Sequence, residues 1–310
     1  MKVLAVFGAT GQQGSSVINH VQQDKTLSQT YSIRAITRDA TSDKAKSLGS
    51  DVEVVSADTD DRPSIERALQ GVNTVFVMTT PSFSDNAVEE EFQKAKLIAD
   101  TAVAQGVEFL IFSTLPGVTQ LSNGKYTAVT AFDAKAKAEE YIRTLPLRSA
   151  FFAPASFMEN LGNGSFQTPK KQDDGTWAIR MPMPSQTRIP WIAAKADIGK
   201  FVGALLTEPS EFKESRALVG SVDLYSWEEV VEKLSRHTGR KVVYVQVSLE
   251  EFRQEQAFAP DLFTDAIQFY ESPGYFGPDT EELVKTDLKV PKVPLTTLDE
   301  WLASNTSLLD

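Results

Sequence analysis

Three glycines that follow the first apolar run constrain the fold of this chain more than any other feature of its sequence. Residues 2–7, KVLAVF, are short and apolar, as expected for a buried strand. Gly8, Gly11 and Gly14 follow at three-residue spacing, and apolar residues then recur at helical spacing from Val17 onward. The chain is therefore predicted to open with a strand, a glycine turn and a helix.

A glycine turn in this position is typical of a phosphate-binding site. Backbone N–H groups at the start of a helix have no intrahelical partner, and the helix dipole attracts anions to them. The alternative is that the glycines serve only a tight turn or close helix packing. We expect this turn to bind a dinucleotide, and the candidate residues are Gly8, Thr10, Gly11, Gln12, Gln13 and Gly14.

Strands and helices are predicted to alternate through residues 1–153, which indicates an α/β fold with a doubly wound parallel sheet of the Rossmann type. Ligands of such sheets bind beyond the carboxyl ends of the strands. A proline near the first turn marks one further helix start, after Asp61. The other predicted strands are 31–38, 51–58, 72–80, 107–113 and 147–153, and the clearest helices are 87–105 and 131–144.

The pattern is less regular after residue 153. We expect residues 154–310 to form a smaller, discontinuous α/β second lobe that binds a ligand or a partner, with segments around 187–222 returning to the first domain. Trp177–Met181 is a predicted strand there. Three capping boxes predict helix starts, at Ser226 with Glu229, Ser248 with Glu251, and Thr297 with Glu300.

Composition narrows the classes of function. The 310-residue chain has a net charge of −11, which disfavours direct nucleic-acid binding and fits a protein partner with a basic surface. It contains no cysteine and two histidines, so thiolate chemistry is excluded and no metal site is expected. No apolar stretch is long enough to span a membrane. We expect a cytoplasmic protein, with the nucleus as an alternative compartment.

The end of the second predicted strand bears on the choice of cofactor. NAD-selective sites usually place a carboxylate there, whereas this chain has Arg38, with Lys44 and Lys46 further on. A cation suits the 2′-phosphate of NADP, so NADP(H) is predicted and NAD(H) is the second choice. The alternatives are that Arg38 is a solvated surface charge, or that Asp39 is presented in its place.

Three polar residues follow the next two predicted strands. Asp58 follows the third strand, where it could bind an adenine amino group. Thr79 and Thr80 follow the fourth strand, at the expected crevice. Each residue could equally be an ordinary strand-end cap or turn.

Several segments together resemble the NmrA-like branch of the short-chain dehydrogenase/reductase superfamily. They are GATGQQG, TRD, ADTDD, FDAKAKAEEYIR and FFAPASFMENL, and the similarity covers most of the chain. In that superfamily a serine at the fifth strand end and a Tyr-x-x-x-Lys pair on the next helix transfer a proton. Ser113 and Lys135 match the serine and the lysine. The resemblance also implies that Pro154, Phe157 and Asn160 lie beside the nicotinamide, although Phe157 could equally be a core residue.

The chain departs from the enzyme pattern at the tyrosine position. Ala131 stands four residues before Lys135, and no tyrosine in the chain has a lysine four residues later. The NmrA-like branch commonly lacks this tyrosine and includes dinucleotide sensors that regulate transcription. In such a protein Lys135 would hold the nicotinamide ribose; otherwise it is a solvated helix charge. We therefore predict an NADP(H)-binding regulatory protein that senses redox state.

Two other functions stay open. A branch that resembles isoflavone reductases also lacks the tyrosine and uses this lysine in catalysis. The chain could therefore be an NADPH-dependent reductase of a small aromatic, carbonyl or quinone-like substrate, with Lys135 and Ser113 in the catalytic roles. Tyr126 precedes that helix in a loop and is expected to be exposed, although it could swing in. The third alternative is an interaction scaffold that binds no nucleotide.

Overall fold

The computed structural model describes residues 1–162, 164–207 and 216–309. In its first half strands alternate with helices, as the sequence predicts. The elements in chain order are β1 (Lys2–Phe7), α1 (Gln12–Gln23), α2 (Leu27–Thr30), β2 (Tyr31–Thr37), α3 (Asp43–Lys46), β3 (Val52–Ser56), α4 (Arg62–Leu69), β4 (Thr74–Val77), α5 (Ala87–Ala104), β5 (Phe109–Ser113), α6 (Val118–Leu121), α7 (Thr130–Ile142) and β6 (Arg148–Pro154).

The second half consists of shorter strands and helices. A 3₁₀ turn at Met158–Leu161 and an irregular turn at Tyr270–Gly274 interrupt them. The elements are β7 (Ser156–Phe157), β8 (Lys170–Lys171), β9 (Trp177–Met181), β10 (Arg188–Ile192), α8 (Ala194–Thr207), β11 (Leu218–Gly220), β12 (Asp223–Ser226), α9 (Trp227–Thr238), β13 (Val242–Gln246), α10 (Leu249–Glu255), α11 (Pro260–Phe269), α12 (Thr280–Asp287) and α13 (Leu298–Ala303).

A seven-stranded parallel sheet forms the centre of the protein. Its strand order is β11-β6-β5-β4-β1-β2-β3, and the order reverses between β1 and β4. Such a reversal leaves a crevice at the carboxyl ends of the strands, where the loop after β1 and the loop after β4 diverge. The doubly wound parallel sheet is confirmed, and the glycine turn lies at the reversal.

Two three-stranded sheets form the second lobe, which confirms the smaller α/β part. Their strand orders are β12-β10-β7 and β13-β9-β8. After β10 the chain returns to the central sheet, where α8 packs against α1 and β11 pairs with β6. It then enters the second lobe again at β12. All three capping boxes form, at the starts of α9, α10 and α13. The division at residue 153 stays a prediction.

Apolar side chains fill both faces of the central sheet. One cluster joins the face of Leu4 and Val6 to α1 and α8, and the other joins Phe7 and Val75 to α4 and α5. Among the described residues, no helix is long and apolar enough to cross a membrane. The sheet is thus covered on both sides, and the loops at its carboxyl edge are left to form a site.

Candidate functional site

Two of the three glycines in the turn between β1 and α1 occupy positions that only glycine fits. Gly8 has a φ of +65°, and a Cβ atom there would lie 2.5 Å from the Sδ atom of Met78. A Cβ atom on Gly14 would overlap the carbonyl oxygen of Gly8 and lie 2.8 Å from the Cα atom of Ala9. The turn is therefore tight because two glycines let strand and helix approach each other.

The first turn of α1 is open to an anion. Its N-terminal cap is Gly11, which supplies no side-chain hydrogen bond, and the turn carries no acidic residue. The N–H groups of Gln12, Gln13 and Gly14 have no intrahelical acceptor at this end of the helix. The Oε1 atom of Gln12 is buried and has no partner among the described residues. The tight glycine turn and the open helix end both fit a bound dinucleotide.

Arg38 lies just beyond β2 and is exposed. It forms no ion pair or hydrogen bond with any residue in the described part of the chain. Asp39 is already engaged, because its Oδ1 atom accepts from the Thr41 N–H at 2.8 Å and the Thr41 hydroxyl at 2.6 Å. These bonds lower the pKa of the Asp39 carboxyl. The free charge at this strand end is thus the guanidinium of Arg38.

Asp58 takes part in a local turn beyond β3. Its exposed carboxylate accepts from the Asp60 N–H at 3.0 Å, and its own N–H donates to the Ser64 hydroxyl at 3.0 Å. This is the turn role that the sequence left open. The remaining carboxylate oxygen faces solvent, so a ligand contact there stays a prediction.

Three elements meet in a buried ionic network beside the crevice. Lys135 on α7 pairs with Glu91 on α5, and both side chains are under a tenth exposed. The Thr79 hydroxyl, just beyond β4, donates to the same Oε1 atom of Glu91 at 2.6 Å. The Oε2 atom of Glu91 is buried without a partner among the residues that the structure describes. The alternative of a solvated Lys135 is therefore wrong.

The sequence analysis did not identify Glu91, although the sequence contained a signal for it. Glu91 lies between Val88 and Ala95 on the apolar stripe of α5, where a charged residue is unexpected. A buried carboxylate needs a cationic partner. Lys135 supplies that partner from a helix that begins 39 residues after Glu91, as the bounds of α7 show. Thr80, next to Thr79, is exposed and lies outside this network.

Other groups at the proposed proton-transfer position are engaged as well. The Ser113 hydroxyl, at the end of β5, donates to the Oε1 atom of Gln13 at 2.8 Å. Ala131 offers Lys135 only its backbone oxygen, 3.5 Å from the Nζ atom. Tyr126 is buried, 5% exposed, so the expectation of an exposed loop tyrosine is wrong. Apolar packing holds Tyr126 in the larger core cluster.

The three residues predicted beside the nicotinamide follow one another at the end of β6. Pro154 is buried and aligns with Gly220 of β11. Phe157 is half-buried against the core cluster. Asn160 lies in the 3₁₀ turn, where its carbonyl oxygen accepts from the hydroxyls of Ser165 and Thr168. Their contact with a cofactor stays a prediction.

The second lobe contacts the loops that flank the ionic network. On α11, the Oδ2 atom of Asp265 accepts from the N–H groups of Thr127 and Ala128, both at 3.0 Å, just before α7. In the loop after β4, Phe83 contacts Phe258 edge to face, with ring centroids 4.9 Å apart. The two lobes therefore contact each other beside the ionic network.

Fold and site together define a Rossmann-type protein with a tight glycine turn at an open helix N-terminus. Residues 1–302 match the model of the NmrA-like family. The NmrA-like family domain-containing oxidoreductase lnaB of Aspergillus flavus is 30% identical over 255 residues, which cover 77% of this chain and 74% of that protein. The chain belongs to the NmrA-like family.

Solved structures share the fold. NmrA, a negative transcriptional regulator solved with NADP and also with NAD, has a TM-score of 0.78 and 19% identity, covering 99% of this chain and 96% of that one. Triphenylmethane reductase from Citrobacter sp., solved with NADP(H), has a TM-score of 0.72 and 22% identity, covering 98% and 99%. Both a regulator and a reductase therefore use this architecture.

Proposed function

We propose that this protein binds NADP(H) and acts as a regulator that reads the redox state of the nucleotide. The observation that carries the proposal is the tight glycine turn, in which Gly8 and Gly14 allow close approach of the backbone and so present the open N-terminal end of α1 beyond β1, where a pyrophosphate would bind. The NADP complex of NmrA, a regulator with the same fold, supports it.

NADP(H) is preferred because Arg38 follows β2 and its guanidinium has no partner among the described residues, and a cation at this strand end suits a 2′-phosphate. NAD(H) is the second choice, since NmrA has been solved with both nucleotides. Arginine forms strong, bidentate bonds to phosphate, and Asp39 is held in its own turn by Thr41. Asp58, Thr79 and Thr80 then line the crevice beyond β3 and β4.

A sensor is favoured over an enzyme because the polar side chains at the predicted proton-transfer position already bind other residues of the protein. The charge of Lys135 is matched by Glu91, and the Ser113 hydroxyl is donated to Gln13. Ala131 replaces the tyrosine that would act as the acid in carbonyl reduction. Oxidised and reduced nucleotides would be distinguished by conformations to which they bind with different affinity.

A regulator needs a macromolecular partner, and the charge of the chain indicates its class. A net charge of −11 suits a protein with a basic surface and opposes direct contact with nucleic acid. The regulator would then act by docking to that protein.

An NADPH-dependent reductase is the second candidate, and the oxidoreductase name of the Aspergillus relative favours it. In that case a hydride would pass to an electron-poor carbon of a small aromatic, carbonyl or quinone-like substrate. The Lys135 ammonium would supply the accompanying proton and regain it from solvent.

Turnover measurements separate the two functions. We expect no steady NADPH oxidation, followed at 340 nm, with a panel of quinones, aromatic carbonyls and imines. Turnover that is lost in Lys135→Met and in Lys135→Met/Glu91→Leu, but kept in the matched control Lys137→Met, would establish the reductase. Lys137 is a suitable control because it lies on the same helix, is exposed and pairs with Glu89 at 2.5 Å.

A further inference from the structure

A second cavity lies at the opposite end of α1 from the glycine turn. It has a volume of about 350 Å³ between α1, α8 and the segment that follows α12. His20 lies eight residues after Gln12, which is about 12 Å along a helix axis. The cavity is therefore separate from the dinucleotide crevice. Its lining is His20, Asp24, Lys200, Gly203, Ala204, Thr207, Lys289, Val290, Lys292 and Val293.

Cationic groups dominate this cavity although the chain as a whole is acidic. Lys289 and Lys292 are exposed and have no ion pair or hydrogen bond within the described ranges. Lys200 is matched by Asp197 at 2.6 Å and also donates to the Pro294 carbonyl at 2.7 Å. The two unpaired lysines therefore leave an excess of positive charge at the cavity.

The one carboxylate in the lining does not cancel that charge by pairing with a lysine. The Oδ1 atom of Asp24 accepts from the N–H groups of Thr26 and Leu27, at 2.9 and 2.8 Å, and so caps the start of α2. Its contribution is to fix the wall of the cavity that α1 provides, whereas Lys289 and Lys292 belong to the segment after α12.

An imidazole with no partner completes the polar lining. The His20 ring forms no hydrogen bond with any described residue. The ring packs on Gly203, where a Cβ atom would overlap it. Burial lowers the pKa of His20, Asp24 opposes this effect and Lys200 adds to it. The neutral ring can thus donate to or accept from a ligand, while Val290 and Val293 supply apolar contacts.

We propose that this cavity binds a small organic oxyanion, a carboxylate or a phosphate, between the two lysines and the His20 imidazole. The apolar wall takes the carbon skeleton of the ligand. The site lies at the end of α1 remote from the glycine turn, and its existence does not depend on dinucleotide binding.

The two histidines of the chain allow a direct test. Protein labelled with ¹³C at histidine Cε1 gives two signals, which His237→Gln assigns. Inorganic phosphate and succinate are titrated separately at constant ionic strength. We expect a saturable shift of the His20 signal with at least one of these anions, while the His237 signal, from a ring bonded to Asp299 at 2.9 Å, stays in place. A response to phosphate alone, to succinate alone or to both supports the proposal and tells which oxyanion fits.

Charge reversal locates the binding. Lys289→Glu/Lys292→Glu is expected to lower the affinity for the anion at least tenfold. The matched control Lys170→Glu/Lys171→Glu changes the net charge equally on β8, an exposed strand of the second lobe, and is expected to bind like the unmodified chain. The proposal is overturned if His20 does not respond, if its shift does not saturate, or if both pairs of substitutions weaken binding equally.

Discussion

The two candidate functions differ most in the role that they give to Lys135. In this structure the Lys135 ammonium pairs with the Glu91 carboxylate. Thr79, Glu91 and Lys135 come from three separate elements, and their bonds fix the ammonium beside the crevice. In the proposed regulator this lysine would contact a ribose hydroxyl, whereas in the reductase it would supply a proton.

Removing one partner of this pair is expected to be costly. Lys135→Met should lower the free energy of unfolding by about 3–5 kcal/mol, because Glu91 would remain buried and unpaired. Lys137→Met should cost less than about 1 kcal/mol, since its pair with Glu89 is exposed. The double variant Lys135→Met/Glu91→Leu should recover most of the loss. Urea unfolding measures all three, and equal stability of the two single variants would contradict a structural ion pair.

Arg38 governs the predicted choice between the two nucleotides. Arg38→Gln should weaken NADP about tenfold or more and leave NAD unchanged, because a charge-assisted bond to phosphate is worth about 1.5–3 kcal/mol. Arg67→Gln is the control. Arg67 is an exposed arginine in the last turn of α4, before β4 begins, and so lies at the opposite edge of the sheet. An equal loss for NAD and NADP would contradict the role given to Arg38.

At the scale of elements, α1 is held in place along its whole length. Its first turn packs through Gly14 on the turn that follows β1, and its middle packs on α8 through Gly199, where a Cβ atom would lie 2.7 Å from the Cβ atom of His20. The Ser16 hydroxyl accepts from the Gly199 N–H at 2.8 Å. The glycine turn is therefore presented by a helix that a segment of the second half of the chain supports.

The C-terminal helix is tied to α9 by an ionic cluster that should make stability depend on pH. Asp299 on α13 accepts from Lys233 at 2.6 Å, from His237 at 2.9 Å and from Arg236. These bonds, with Lys233 first, hold the pKa of Asp299 well below its usual value. A depressed carboxyl pKa contributes stability above the unfolded value of about 3.9, and that stability is lost as the pH falls further.

Asp299→Asn should accordingly destabilise the protein at pH 7 and by less at pH 3, since the loss of the contribution begins near pH 3.9 and is complete only below the depressed pKa of Asp299. The urea midpoint of each protein, measured at both pH values, checks this expectation. Asp85→Asn serves as the control, since Asp85 is exposed and forms no bond in the described part of the chain. A difference between Asp299→Asn and the unmodified chain that stayed constant with pH would contradict the role of the cluster.

Local sequence patterns predicted the individual strands and helices better than the long-range contacts between them. The strand Trp177–Met181 and the three capping boxes formed as expected, because hydrophobic run length and side-chain caps act over a few residues. The pairing of β11 with β6, and of Glu91 with Lys135, depends on chain segments far apart in sequence. No local pattern in the sequence carries that information. The sequence did not predict the burial of Tyr126 for the same reason.

For the whole molecule, the account rests on a parallel sheet that brings separate loops to one edge. Its strand order reverses between β1 and β4, and the glycine turn, Arg38, Asp58 and the Thr79 network all follow strands of that sheet. The second lobe contacts the loops before α7 and after β4 through Asp265 and Phe258. The central claim is that a dinucleotide lies along this edge with its pyrophosphate on the glycine turn.

Calorimetric titration with NADPH, NADP, NADH and NAD tests that claim most directly. The unmodified chain should bind all or some of the four saturably, with the phosphorylated pair tighter. Gly14→Ala should abolish binding, because the new Cβ atom would overlap the Gly8 carbonyl. Gly106→Ala, at a positive φ in open space after α5, should still bind. No heat with any nucleotide, or unchanged affinity in a folded Gly14→Ala, would contradict the account.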